Sequence, residues 1–218
     1  MKKHCALALL FFMICLPLCA QTDVLNGLKM GVIGDSYVKN HREPMDSTWH
    51  FRFAKKHGME YYNYGRNGNC ISIDRAKWGE AMYKRYKTMR DDLDLVVVIA
   101  GHNDASLLDS MGIDVFKEKL DTLCVGLIEK FPKARILFFT PWTHDNPDFK
   151  TVVDAMKEVC GDRGIPVFDA YRYSNIFARS DAFRNIYFQG GARDHAHLNG
   201  RGHRRFLPVA EKFILNYF

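Results

Sequence analysis

Paired cysteines, clustered charge and long apolar runs are all scarce in this 218-residue chain, and each scarcity removes a class of protein. Of six cysteines, Cys70, Cys124 and Cys160 lie in the body of the chain, widely spaced and mostly beside apolar neighbours. Such spacing is neither a disulfide framework nor a zinc motif, and three buried thiols are expected rather than one disulfide with one free thiol. Lysines and arginines are interleaved with acids, as in residues 114–121, and no basic block stands out. A pI near 9.0 is then weak support for nucleic-acid binding. No internal repeat or low-complexity linker divides the chain, so a single domain with one sizeable core fits the length.

The apolar run at residues 6–18 is too short to span a bilayer well. It follows Lys2, Lys3 and His4 and precedes the small Ala20, the layout of a secretory signal peptide over residues 1–20. The expected mature domain is 21–218, exported to a periplasm or beyond, without Cys5, Cys15 and Cys19 and with its net charge lowered from +6 to +4 by loss of Lys2 and Lys3. A lipid anchor on Cys19 is the competing reading, and the bulky Leu18 before it weighs against that.

Strand-like runs, aliphatic or mixed apolar at 28–33, 93–100, 136–140 and 165–168 and aromatic at 59–64, alternate with stretches of helical period. The clearest period is in Ile113, Phe116, Leu120, Leu123, Leu127 and Phe131, which keep steps of three and four. Further helices are expected over 46–57, capped by Asp46 or Ser47, then over 73–90, 149–160 and 206–217. Asn103-Asp104 would cap a following helix. Alternating strands and helices predict right-handed crossovers and a parallel sheet covered on both faces, an α/β fold. Functional groups in such folds sit on the loops after the strands' carboxyl ends.

The polar motifs meet that demand. The first strand runs into Gly34-Asp35-Ser36, the second ends near Gly68, and the third ends in Gly101-His102-Asn103-Asp104. After the fifth and a long irregular stretch come Asp194, His195, His197 and Asn199. A lone Gly-Asp-Ser arises by chance in roughly one chain in twenty of this size and could be a turn or helix cap, so Ser36 depends on the rest. A serine hydroxyl needs a base, and His197 is the candidate. Asp194, three residues earlier, can reach the far imidazole nitrogen and fix the tautomer. The N–H groups of Ser36 and Gly68 and the Asn103 amide could stabilise a developing oxyanion. Gly65 is an alternative to Gly68, and His195 a rival to His197. His195, His197 and Asp194 could instead hold a metal, but no further ligand cluster has convincing spacing.

At this point the chain resembles the SGNH (GDSL) hydrolases. Their four blocks are matched in order by Gly34–Ser36, Gly68, Gly101–Asp104 and Asp194–Asn199, and the resemblance spans residues 28–216. It implies a flavodoxin-like three-layer α/β/α sandwich with a five-stranded parallel sheet. It also implies Ser36 as nucleophile, Asp194 and His197 as acid and base, and Ser36, Gly68 and Asn103 as the oxyanion hole. The GxSxG elbow of other hydrolases is absent, in keeping with this.

The expected activity is serine esterase chemistry on a short acyl ester, with an acetyl group on a small molecule or carbohydrate as first substrate, and with no cofactor or metal. Trp142 and His144, after the fourth strand, stand where they could touch substrate. The aromatics between Tyr171 and Phe188 either wall a pocket or pack under a loop. Lysophospholipid or thioester cleavage fits the same mechanism, and a non-catalytic glycan-binding module fits the same fold. No oligomeric state is implied.

Overall fold

The computed structural model describes residues 23–218; the signal-peptide and Cys19 readings lie outside them. Five strands, β1 (Lys29–Gly34), β2 (Glu60–Gly65), β3 (Leu95–Ile99), β4 (Arg135–Phe139) and β5 (Val167–Phe168), form one sheet. Its order is β2-β1-β3-β4-β5, with every pairing parallel. This is the doubly wound, flavodoxin-like order, and the sequence direction reverses between β1 and β3.

Side chains alternate across the pleat and feed two separate cores. Val32, Leu95, Val97 and Ile99 face one side, packed with Trp49 and Phe53 of the helix Trp49–Lys56 and Phe206 and Ala210 of the helix Gly200–Leu215. Ile33, Val96 and Val98 face the other, against Phe116, Leu123 and Leu127 of Ile113–Lys130 and Val152 and Met156 of Asp148–Asp162. The central strand β3 is buried throughout, as its unbroken aliphatic run requires. Cys70, Cys124 and Cys160 are buried free thiols. No helix among the described residues is long and apolar enough to cross a membrane.

Four local expectations change. The segment 73–90 is not one helix but a tight turn with an Arg75–Gly79 bridge, followed by the short helix Met82–Arg85 and a 3-10 turn. The Asp74 carboxylate takes the Ala81 N–H and so competes with helical bonding. The helix expected over 46–57 begins at Trp49 and is capped by Thr48, whose hydroxyl accepts from Phe51; Asp46 and Ser47 lie in the preceding 3-10 turn. The last helix starts at Gly200, before its apolar stripe, because the Asn199 side chain accepts from the N–H groups of Arg201 and Gly202. Such a cap contributes about 1 kcal/mol. Finally, the stretch read as irregular before Asp194 holds the helices Ala170–Tyr173 and Asp181–Tyr187.

Candidate active site

The reversal of strand order leaves a crevice above the carboxyl ends of β1 and β3, and the polar motifs converge there. Ser36 opens a single helical turn, Ser36–Lys39, capped by the Asp35 carboxylate, which accepts the Tyr37 N–H at 2.8 Å. The cap reading of the first motif therefore belongs to Asp35, and Ser36 is freed to face the crevice. His197 Nε2 lies 3.0 Å from Ser36 Oγ, although 161 residues separate the two in the chain. On the other side of the ring, Nδ1 lies 3.1 and 3.2 Å from the two Asp194 oxygens.

The stretch 188–199 is shaped to present that pair. Phe188 and Leu198 bridge antiparallel, and Gln189 N–H donates to the His197 carbonyl. The Asp194 carboxylate closes the turn by accepting the N–H groups of Ala196 and His197 at 2.9 and 3.0 Å, and of Gly190 at 3.2 Å. Burial works against its charge, but the His197 ring and these N–H donors outweigh burial and hold the carboxyl well below its usual range. An anion is thus fixed behind an imidazole whose other nitrogen touches a serine hydroxyl. His195 shares the cleft but makes no such contact.

The candidate oxyanion donors come from three strand ends. The N–H groups of Ser36 and Gly68 carry no bond to protein among the described residues. Gly68 sits at φ +66°, and a Cβ there would come within 2.4 Å of the Trp78 ring, so only glycine fits. Gly65, the alternative, ends β2 with its N–H already given to Asn63 Oδ1 at 2.8 Å. The Asn103 amide nitrogen points between the loops, donating to the Asn69 carbonyl at 3.1 Å and to Asp35 Oδ2 at 3.3 Å. Burial above all pushes the Asp35 carboxyl up to about 7, against the pull of the Tyr37 N–H.

Asp104 does not cap its own helix. Fully buried, it accepts the N–H groups of Ile71 and Ser72 and the Ser72 hydroxyl, tying the loop after β2 to the loop after β3. Trp142 packs into the core beneath the site. It is 3% exposed, stacks on Tyr37 at 5.1 Å and donates its indole N–H to the Ala196 carbonyl. It is a support beneath the His197 turn. His144 stacks on Phe149 at 4.0 Å and lies 5.4 Å from His195, a row behind the cleft. Phe177, Phe183, Tyr187 and Phe188 cluster together beside Arg205, away from Ser36. Phe183 and Phe188 are buried there while Tyr173 and Phe177 are exposed, so the segment is part core and part surface.

Three residues not singled out from the sequence help build the site. Arg85, 6% exposed, donates to the carbonyls of Gly34 and Tyr64 and to Asn69 Oδ1, each at 2.6 Å. His41 stacks flat on His197, ring centroids 4.0 Å apart. It is held there by consecutive left-handed residues, Asn40 and His41, at φ 68° and 47°. Gln189 secures that turn by donating to the carbonyl and side-chain oxygens of Asn40. Nothing in residue type marked these positions, since their roles depend on partners up to about 150 residues away. Among the described residues, no group of three or more His, Cys, Asp or Glu is placed to hold a metal.

A parallel α/β/α sandwich that brings serine, imidazole and carboxylate into line at its strand-reversal crevice has the build of an ester hydrolase. The chain belongs to the GDSL-like lipase/acylhydrolase family, whose model matches residues 32–205. Solved structures share its fold at low identity. A protein from Lactobacillus plantarum is 22% identical over 88% of this chain and 99% of its own, with a TM-score of 0.76. A lipolytic G-D-S-L family member from Veillonella parvula is 17% identical, covering 85% and 97%, at 0.61. A carbohydrate acetylesterase family member from Sinorhizobium meliloti is 14% identical, covering 86% and 97%, at 0.63. No curated protein matches the chain.

Proposed function

We propose that the protein is an exported serine esterase that removes short acyl groups, acetyl first among them, from a small-molecule or carbohydrate alcohol. The observation that carries this is the line Ser36 Oγ, His197 Nε2, His197 Nδ1 and Asp194, with contacts of 3.0 and 3.1 Å. Ser36 Oγ attacks the ester carbonyl carbon while its proton passes to His197 Nε2. Asp194 stabilises the imidazolium and keeps the proton on Nδ1. The carbonyl oxygen, now negative, takes hydrogen bonds from the Ser36 and Gly68 N–H groups and the Asn103 amide. Collapse of this adduct expels the alcohol, which leaves with the proton from Nε2. Water then gives a proton to His197 Nε2 as it attacks the acyl-serine carbonyl, and the adduct collapses to the free acid as that proton passes to Ser36 Oγ.

The void against Ser36, walled by Tyr37, Trp49, Trp142 and Leu198, holds only about 10 Å³, about one water, and gives a long acyl chain no room. A lysophospholipase or long-chain thioesterase would need an apolar slot there. The open space lies on the polar side, in a cleft of about 470 Å³ that includes His197 and suits the alcohol part. The carbohydrate acetylesterase family name of the Sinorhizobium meliloti neighbour points the same way, as does the leader-like pattern of residues 1–20 to export.

The test is Ser36→Ala assayed on p-nitrophenyl acetate, with a fluorophosphonate probe on the parent protein. The expected result is turnover reduced at least about a thousandfold and covalent labelling at Ser36. Unchanged turnover sinks the esterase reading, and an unlabelled Ser36 would leave a binding module as the better account.

A further inference from the structure

Resting on the esterase reading, we propose that the cleft beside His197 binds an anionic group, carboxylate or phosphate, on the alcohol part of the substrate, through Arg42 and Arg193. Both arginines line this cleft of about 470 Å³, a size within the roughly 300–1,000 Å³ of small-molecule sites. Neither guanidinium has a polar partner within the protein among the described residues. Both are exposed, and most of the other arginines are tied. Arg52, Arg75, Arg85, Arg90, Arg135, Arg163, Arg172, Arg179, Arg184 and Arg205 each donate to a carbonyl, side-chain amide or carboxylate. The untied arginines are Arg42 and Arg193, Arg66 in the groove beside Gly68, and Arg201 and Arg204 on the last helix.

The two acids of the cleft form no ion pair with either arginine. Glu43 accepts the Gly200 N–H at 3.0 Å and the Ser47 hydroxyl at 3.5 Å. Asp194 is committed to His197, Ala196 and Gly190. What the cleft offers a ligand is therefore two planar donor forks not tied to any acceptor, the chemistry suited to a carboxylate or phosphate. Their backbones are fixed from the same side. Arg42 N–H donates to Gln189 Oε1, and Arg193 precedes the Asp194 turn. An anion seated between them would place its neighbouring ester within reach of the Ser36–His197 pair.

The experiment compares three acetates of one sugar, each esterified at the same hydroxyl: methyl glucoside, methyl glucuronoside and methyl glucoside 6-phosphate. The neutral, carboxylate and phosphate arms are ranked by kcat/KM. The expected result is a preference of about tenfold for an anionic arm, expressed mainly in KM, as for a partly solvated charge-assisted contact. The arm that wins names the anion. The preference should shrink in 0.5 M salt, by the ordinary screening of exposed charge. It should fall toward unity in the Arg42→Gln/Arg193→Gln double variant. Equal kcat/KM on all three acetates in the parent protein, or a preference that survives the double variant, overturns the inference while leaving the esterase reading intact. A parent protein inert on these and on p-nitrophenyl acetate overturns the esterase reading and this inference with it.

Discussion

Asn103 donates from one amide nitrogen to the Asn69 carbonyl and to Asp35, so a new oxyanion at Ser36 must share or displace one of these bonds. The weaker of the two is the 3.3 Å contact to Asp35, a carboxyl that burial has pushed up to about 7. Asn103→Ala should therefore lower turnover about a hundredfold or more, near 3 kcal/mol of transition-state stabilisation. It should also lower Tm modestly, because the Asn69 carbonyl loses its donor. Turnover per folded molecule, measured beside Tm, separates the two effects. Full activity in the folded fraction would make Asn103 structural only.

Among the elements, the turns after β1 and β3 are short, the loop after β2 runs over residues 66–81, and side chains tie all three together. Arg85 joins two of them by taking the carbonyls of Gly34 and Tyr64 and the Asn69 side chain. Asp104 joins the third by holding Ile71 and Ser72. Arg85→Met keeps the apolar stem but takes a donor from three acceptors, of which the Gly34 carbonyl keeps the Arg66 N–H. A buried acceptor left bare costs about 1–3 kcal/mol, so a loss of about that size is expected in urea unfolding. Arg85→Lys should recover only part of it, since a single ammonium cannot span three acceptors in different directions. Recovery to the parent value would mean that charge, not the fork of donors, holds the loops.

For the molecule as a whole, acid-side stability should be governed by buried histidines. Burial pushes His50 and His102 down to about 3, and His203 well below its usual value. In the unfolded chain each titrates near 6.5. Between those values the unfolded chain binds more protons, so each histidine contributes stability that is present above about 6.5 and lost as pH falls. Asp35 and Asp104, both raised by burial, act with the opposite sign: the folded state holds their protons longer, and stability from them falls as pH rises toward 7. Three histidines against two carboxyls predict a urea midpoint lower at pH 5 than at pH 7. His50→Gln should reduce that difference. A midpoint that rose on acidification would show that the carboxyls dominate.

The two-sided aliphatic run of β3, the helical steps of Ile113 to Phe131 and the residue types of the four motif blocks are local facts, and they were enough for the α/β class, the parallel sheet and the pairing of Ser36 with His197. Period and residue type follow from burial and bond chemistry acting within a few residues. Three-dimensional packing decided the rest. It made Asp104 a tether across loops instead of a cap, sank Trp142 beneath the His197 turn, stacked His41 on His197 and broke 73–90 at Asp74. It also left Arg42 and Arg193 facing an open cleft without partners. Each of these depends on which groups meet across the strand ends, and a chain pattern of period two or 3.6 carries no information about encounters between residues a hundred or more positions apart.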